Sequence, residues 1–360
     1  MLCPVFYKVR NMVRSLNLDG TLISDDTPPF VIAEVGHNHQ GNLDKALQLI
    51  RAAAASGATA VKLQKRNNKK LFTTEAYNEP YNSENAFGST YGSHRDFLEF
   101  GLEEYKQCID ESKKLGITFF ATAFDFESAD FLNELNMPIF KIASGDLRTL
   151  PLLKYIAKFN KPMIISTGGA SFENIDTAIR TIRKFHNEVA ILQCTASYPA
   201  GFEQLNLNVI KRLREIYPEN VIGYSGHDNG IAMPVVAFTL GARVIEKHFT
   251  LNRALKGTDH AFSLEPQGLQ KMVRDLSRAA IALGDGVKKV YETEIAPLRK
   301  MGKMIVASKN LNIGHLITEA DLEFRSPSNG LSPELYEEII GKIIKSPVNQ
   351  YEPIQYANLR

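Results

Sequence analysis

From Phe30 onward the chain alternates between two rhythms: short, β-branched apolar runs, and longer segments in which apolar residues recur at helical spacing. That alternation predicts parallel strands joined by helical crossovers. Eight runs read as strands: FVIAEVG (30–36), AVKLQK (60–65), ITFFATA (117–123), IFKIAS (139–144), PMIISTG (162–168), VAILQCTAS (189–197), NVIGYSGH (220–227) and VIEKHFT (244–250). Helix-like stretches such as LDKALQLIRAAAAS, EEYKQCIDESKKLG and ESADFLNELN lie between them, several ending on the Gly or Asn that a helix C-terminus prefers. Eight β/α units within roughly 250 residues match a closed (β/α)8 TIM barrel, whereas an open doubly wound sheet uses fewer strands.

The same pattern sets the boundaries. Residues 1–29 read as an N-terminal extension outside the barrel, covering its bottom; residues 30–285 are the barrel, with its last helix at 266–283. Residues 286–301 read as a linker, and 302–360 as a small C-terminal domain with short strand-like runs and one short helix near 333–340. The polar stretch 66–102 interrupts the rhythm after the second strand. A loop of that length inside a compact domain more often serves as a functional lid than as a structural need.

Composition removes several function classes. The 42 basic and 40 acidic residues are interspersed and leave a net charge of +2, too little for a nucleic-acid surface, so any anion site must be local. Lys8, Arg10 and Arg14 interrupt the apolar runs of the extension before they reach signal-peptide or membrane-spanning length. Cys3, Cys108 and Cys194 are odd in number and lack CxxC spacing, which argues against a disulfide framework or thiolate zinc site and fits a reducing cytoplasm.

Barrel active sites form at the C-terminal ends of the strands, and useful side chains collect there: Glu34, Lys62, Gln64, Thr122, Lys141, Ser144, Ser166, Ser225, His227, Glu246 and His248. Lys62 and Lys141 sit inside apolar strands, where an ammonium needs an anionic ligand or a structural salt bridge. With Ser144, Ser166 and Ser225 they suit a ligand carrying both phosphate and carboxylate. His227 and His248 end adjacent strands and can reach one metal ion, with Glu34, Glu246 and Asp259 as further ligands or water-holders. Such a nitrogen and oxygen set favours octahedral manganese or magnesium over structural zinc. His37 and His39 shape a loop bracketed by Gly36 and Gly41. Cys194 has no histidine in its motif and reads as an inert strand residue.

The segments EVGHNHQGN, VKLQKR, FKIASGD, LQCTASYP, IGYSGHDNGIA, EKHFTL and KGTDHAFSLEP, in this order, resemble the sialic acid synthases (N-acetylneuraminate synthase family). Residues 302–360 resemble their antifreeze-protein-like SAF domain, of β-clip type. The resemblance implies a transferase that joins C3 of phosphoenolpyruvate to the aldehyde carbon of an open-chain N-acetylhexosamine, while water attacks C2 and the C–O bond to phosphate breaks. It implies phosphoenolpyruvate binding by Lys62, Gln64, Thr122, Lys141, Ser144, Ser166 and Ser225, and a divalent metal at His227 and His248, manganese first and magnesium or cobalt otherwise. Glu34, Glu246 and Asp259 would handle sugar hydroxyls and water, with Glu34 nearest the reacting carbons. Tyr198 would contact the sugar. Arg325 would reach the sugar's N-acetyl group from the partner subunit of a domain-swapped homodimer.

One position departs from the pattern: Ala196 stands where bacterial members using the free sugar often have Asn. Other motifs are similar to the animal branch, whose sugar is 6-phosphorylated, and on that reading Lys65, Arg66, Lys69 and Lys70 meet a sugar phosphate unless they form a solvated basic face. Two rivals remain: a Schiff-base aldolase of the N-acetylneuraminate lyase type using Lys141 or Lys62, and a non-catalytic sugar-binding or ice-binding protein.

Overall fold

The computed structural model describes residues 14–360, so Cys3, Lys8, Arg10 and the first part of the expected extension lie outside the described residues. The chain divides into two compact units, one ending at Gly284 and the other spanning Asp285–Arg360. Among the described residues no helix is long and apolar enough to cross a membrane.

The first unit opens with an antiparallel hairpin, β1 (Ser15–Leu18) and β2 (Thr21–Ser24). Leu16, Leu18 and Ile23 bury their side chains in the barrel's hydrophobic core. Asp19 accepts from the Thr118 hydroxyl at 3.0 Å, and Arg243 donates to the Asp25 carbonyl at 2.9 and 3.1 Å. Thr118 and Arg243 mark the starts of barrel strands, so the hairpin lies across the N-terminal end of the barrel.

The barrel strands are β3 (Phe30–Gly36), β4 (Ala60–Lys65), β5 (Thr118–Ala123), β6 (Phe140–Ile142), β7 (Met163–Ser166), β8 (Val189–Cys194), β9 (Val221–Gly226) and β10 (Val244–His248). All eight run parallel in sequence order and close where β10 pairs with both β9 and β3. β3, β7, β8, β9 and β10 are buried at every residue, with side chains packed inside the barrel on one face and against the helices on the other. This two-sided burial explains why the sequence shows apolar runs without alternation.

Five expected strands end early. They stop at Ile142, Ser166, Cys194, Gly226 and His248 rather than at residues 144, 168, 197, 227 and 250. Of the residues beyond, Ala143, Ser144, Ala196 and His227 line a cavity.

Two segments differ more from the sequence reading. The stretch 66–102 is not an irregular loop: it holds helices at Asn68–Leu71, Thr74–Asn78 and Tyr91–Leu98. Their start signals are local, with the Thr73 side chain capping one and a Thr90–Ser93 capping box opening another. Each is too short to show an apolar stripe, and the segment packs instead through aromatic pairs such as Phe87–Phe97, stacked at 5.1 Å. The expected linker 286–301 likewise contains a helix, Glu292–Met301, with no buried residue and with Pro297 inside it. Acidic residues in its first turn and basic ones in its last favour that helix, although Pro297 and the absence of a buried face hid it from pattern reading.

The second unit has its own small core, including Ile305, Leu311, Ile317, Ile339, Ile344 and Ile354. It pairs β11 (Met304–Ala307) antiparallel with β12 (Leu322–Arg325), and its short helical turn falls at 333–339.

Candidate active site

Register brings the chemistry-bearing residues into one region. Glu34 of β3 pairs with Lys62 of β4 on one side and His248 of β10 on the other. Gln64 pairs with Thr122, Thr122 with Lys141, Cys194 with Ser225, and Ser225 with Glu246. Their side chains line a cavity of about 820 Å³, within the size range of small-molecule sites.

The floor of this cavity is a buried ionic cluster. The Lys62 ammonium lies 2.8 Å from Glu34 and 3.7 Å from Glu246 and donates to Thr122 Oγ1 at 2.9 Å. Lys141 donates to Ser166 Oγ at 2.6 Å and to the Ile142 carbonyl at 3.2 Å, and lies 3.9 Å from Glu246. Ser225 donates to Glu246 at 3.1 Å, and Gln64 Nε2 to Glu34 at 2.6 Å. Burial dominates the titration of Glu34 and Lys141, raising the first and lowering the second. At Glu246 burial is outweighed by Lys141 and Lys62, with His248 and Ser225 adding to them, and the carboxyl is held down to about 2.

Ser144 stands apart from this floor cluster. It begins a 3-10 turn after β6, and its hydroxyl accepts from Gly168 N at 2.9 Å. Gly36 ends β3 at a register shift with φ +53°, and a Cβ there would stand 3.2 Å from both Gln64 Nε2 and Glu34 Oε1. Glycine therefore suits both the backbone and the crowding.

The two histidines face one another across the mouths of β9 and β10, ring centroids 5.3 Å apart. His227 Nδ1 lies 2.7 Å from the Thr195 carbonyl, which can only accept, so Nδ1 carries the proton and Nε2 keeps its lone pair. Burial, then the neighbouring His248, lowers His227 to about 4, so it is neutral near pH 7. Burial also lowers His248, whose Nδ1 is buried with no hydrogen-bond partner and lies 3.7 Å from Asp259.

Among the described residues no group of three or more His, Cys, Asp and Glu side chains is gathered as an ion site. Glu34 and Glu246 lie against the lysines, whereas Asp259 Oδ2 lies 3.7 Å from His248 Nδ1. Tyr198 is more than half exposed and packs on His227 with centroids 4.1 Å apart.

The structure gives Cys194 a neighbour that its own motif does not contain: strand pairing sets its sulfur 3.9 Å from His227 Nδ1. The histidine's proton goes to the Thr195 carbonyl, and burial raises the thiol's pKa against Ser144, Lys141 and Ser225, which favour the thiolate.

Of Lys65, Arg66, Lys69 and Lys70, at and just past the end of β4, only Arg66 lines this cavity. Lys65 is held by Glu99 at 3.1 Å and the Phe100 carbonyl at 2.8 Å, Lys69 borders a separate surface depression, and Lys70 lies 3.9 Å from Glu127. Arg325, on β12 of the second unit, pairs with Glu323 at 2.8 Å and stacks over Tyr351 at 3.5 Å.

Sequence reading missed Arg95, Tyr91 and Asn85, which also line the cavity from the 66–102 segment. The capped helix opened by Thr90 was the available signal. It missed equally the fully buried Lys247, which pairs with Asp228 at 3.2 Å while Tyr224 donates to that carboxylate at 2.6 Å. This cluster is tethered to the neighbours of both histidines in the chain.

Comparison with known proteins gives a consistent picture. The NeuB family profile matches residues 49–288 and the SAF domain profile residues 302–360. The chain is 37% identical over 336 residues to N-acetylneuraminate-9-phosphate synthase of Homo sapiens, covering 93% of this chain and 94% of that protein. It is 40% identical over 330 residues to N,N'-diacetyllegionaminic acid synthase of Campylobacter jejuni, covering 91% and 98%. The N-acetylneuraminic acid synthetase of Leptospira borgpetersenii, solved in complex with citrate, superposes with a TM-score of 0.70 at 34% identity over 80% of this chain and 96% of that one.

Proposed function

Because the chain belongs to the NeuB family, with a C-terminal SAF domain, we propose that it condenses phosphoenolpyruvate with an N-acetylhexosamine of the N-acetylmannosamine type to give a nine-carbon 2-keto acid and phosphate. It is on this reading a transferase that forms a C–C bond. The observation carrying it is the coexistence, in one cavity, of a buried two-lysine floor and a neutral histidine pair.

Lys62 and Lys141, with Gln64, Thr122, Ser144, Ser166 and Ser225, hold the carboxylate and phosphate of phosphoenolpyruvate. Glu34 and Glu246 fix the two ammonium groups in position before substrate arrives. Glu34 lies nearest the reacting carbons and takes a proton from the water that adds to C2 as the C–O bond to phosphate breaks. Asp259 and Tyr198 orient the sugar so that its aldehyde carbon faces C3 of phosphoenolpyruvate.

His227 and His248 fit a divalent ion, manganese before magnesium or cobalt: among the described residues His227 Nε2 makes no hydrogen bond and His248 Nδ1 is buried without a partner. When bound, such an ion supplies Lewis-acid polarisation of the sugar aldehyde.

The proposal includes a domain-swapped homodimer in which Arg325 completes the sugar site of the partner subunit. The exposed apolar residues of the 292–301 helix, Ile295, Leu298 and Met301, support such an association. It also includes a cytoplasmic location, supported by the free thiols of Cys108 and Cys194. Lys141 already donates to two oxygens and faces Glu246, which favours anion binding over a Schiff-base role.

The deciding experiment measures phosphate release from phosphoenolpyruvate with N-acetylmannosamine, its 6-phosphate and a 2,4-diacetamido hexose, each with manganese and then with excess chelator. Metal-dependent release with one of these sugars is the expected result. Release with none of them, together with a borohydride-trapped lysine adduct, would replace the synthase by an aldolase.

A further inference from the structure

Lys247 carries a charge that the proposed reaction does not use. It stands on β10 between Glu246 and His248, and because successive side chains of a strand point to opposite faces, those two line the cavity while Lys247 points away from it. Its side chain is 1% exposed, and an ammonium so deeply buried needs a carboxylate. That partner is Asp228, fully buried, with Oδ1 at 3.2 Å. The same ammonium donates to the main-chain carbonyl of Asp228. Tyr224 completes the cluster by donating to Oδ1 at 2.6 Å. Gly226 makes room for it: a Cβ there would lie 2.5 Å from the Tyr224 ring and 2.6 Å from Asp228 Oδ1.

Lys247 immediately precedes His248, and Asp228 immediately follows His227. The β9–β10 ladder ends at the Gly226–Lys247 pair, so His227 lies one residue past it. Beyond that pair its backbone is held by Ala200 N, which donates to the His227 carbonyl at 3.1 Å, and by the Lys247 ammonium on the residue that follows. The His248 ring has no hydrogen-bond partner at Nδ1, which leaves its placement to the backbone that carries it. One ammonium thus ties together the two segments bearing the ring pair, whose centroids are 5.3 Å apart. Two apolar side chains would fill the same space without desolvating two charges, whereas an ion pair that also grips a main-chain carbonyl fixes one geometry. We propose that Lys247, Asp228 and Tyr224 are positioning residues that set the separation of His227 and His248 for a shared divalent ion. The inference rests on the divalent-ion reading above.

The test is calorimetric titration of manganese into the full-length protein, with phosphoenolpyruvate titrated separately into chelated protein as a measure of intact structure. Lys247→Met should weaken manganese binding by roughly tenfold or more, the scale on which groups behind metal ligands act, and should leave phosphoenolpyruvate binding unchanged. Tyr224→Phe, which removes one donor and keeps the ion pair, should weaken it less.

Lys247→Met alone leaves Asp228 buried without its cation and destabilises the fold, so the doubly neutral Lys247→Met/Asp228→Asn decides the matter. It should melt near the wild type yet bind manganese as weakly as the single variant. Manganese binding at wild-type strength in that double variant would overturn the assignment, as would equal loss of manganese and phosphoenolpyruvate binding, the mark of a role in stability alone. If the wild type binds no manganese, or His227→Gln binds it equally well, the divalent-ion reading and this one fall together. Binding lost in His227→Gln but kept in the double variant removes this one alone.

Discussion

The two ends of the barrel place their ion pairs in different surroundings. At the N-terminal end Asp25 receives Arg14 at 2.9 Å and Arg214 at 2.7 and 3.0 Å, and three apolar side chains of the hairpin pack into the core beside them. At the C-terminal end the lysines and glutamates also pair but are almost completely buried, they line a large cavity, and Glu246 Oε2 and His248 Nδ1 there have no partner. The same fold thus closes one end with a hairpin and leaves the other as a polar cavity; the distinction lies in whether the charged groups border space for a ligand.

The sharpest break of this comparison is at the floor. Lys62→Met leaves Glu34 and Glu246 buried against one remaining ammonium, and kcat/KM for phosphate release should fall at least about 1,000-fold, with a stability loss of roughly 3–5 kcal/mol in a thermal melt. Activity within tenfold of wild type would show that the lysines are merely structural. Next, His227→Gln, or excess chelator on the wild-type protein, should lower turnover by about 100-fold. Added manganese should restore only the chelated wild type.

At the opposite end Asp25→Asn should leave kcat unchanged and cost about 1–2 kcal/mol after allowance for its partial exposure, a shift of a few degrees in melting temperature. A change in kcat would mean that the two ends are not independent.

The smallest effect is in its pH dependence. Burial alone would raise the Asp25 carboxyl, but hydrogen bonding and charge from Arg214, with Arg14 and Arg243, hold it below the ordinary aspartate value. Its stabilisation is therefore fully present above the unfolded value of about 3.9 and is lost as pH falls through the lower folded value. Melting-temperature differences between wild type and Asp25→Asn should be constant from pH 7 to about 5 and shrink as pH falls below the unfolded value of about 3.9.

Much of the barrel was legible because its signal is local. Most strands are buried runs such as MIIS or VAILQC, and helices such as Leu43–Ala55 and Phe172–Ile182 carry one buried apolar stripe, so period and length sufficed. Polar residues interrupting those runs at strand ends, Lys62 and Glu246 among them, stood out for the same reason. Strand ends were read too long because Ser, Thr and His past the last hydrogen bond still look like strand. The 66–102 helices were not legible, since four to eight residues hold no complete stripe and their packing is aromatic and mutual.

The chain by itself determined an eight-unit barrel, a separate small C-terminal segment, and the residue types available at the strand ends, because hydrophobic period and β/α alternation are properties of neighbouring residues. Only the tertiary structure decided that Glu34 and Glu246 are partners of Lys62 rather than of the histidines, that Cys194 borders His227, and that Arg95 comes to stand beside Arg66. Those pairings depend on inter-strand register and on a folded segment 29 residues away along the chain. Contact between groups so placed is set by closure of the barrel, which no local pattern records.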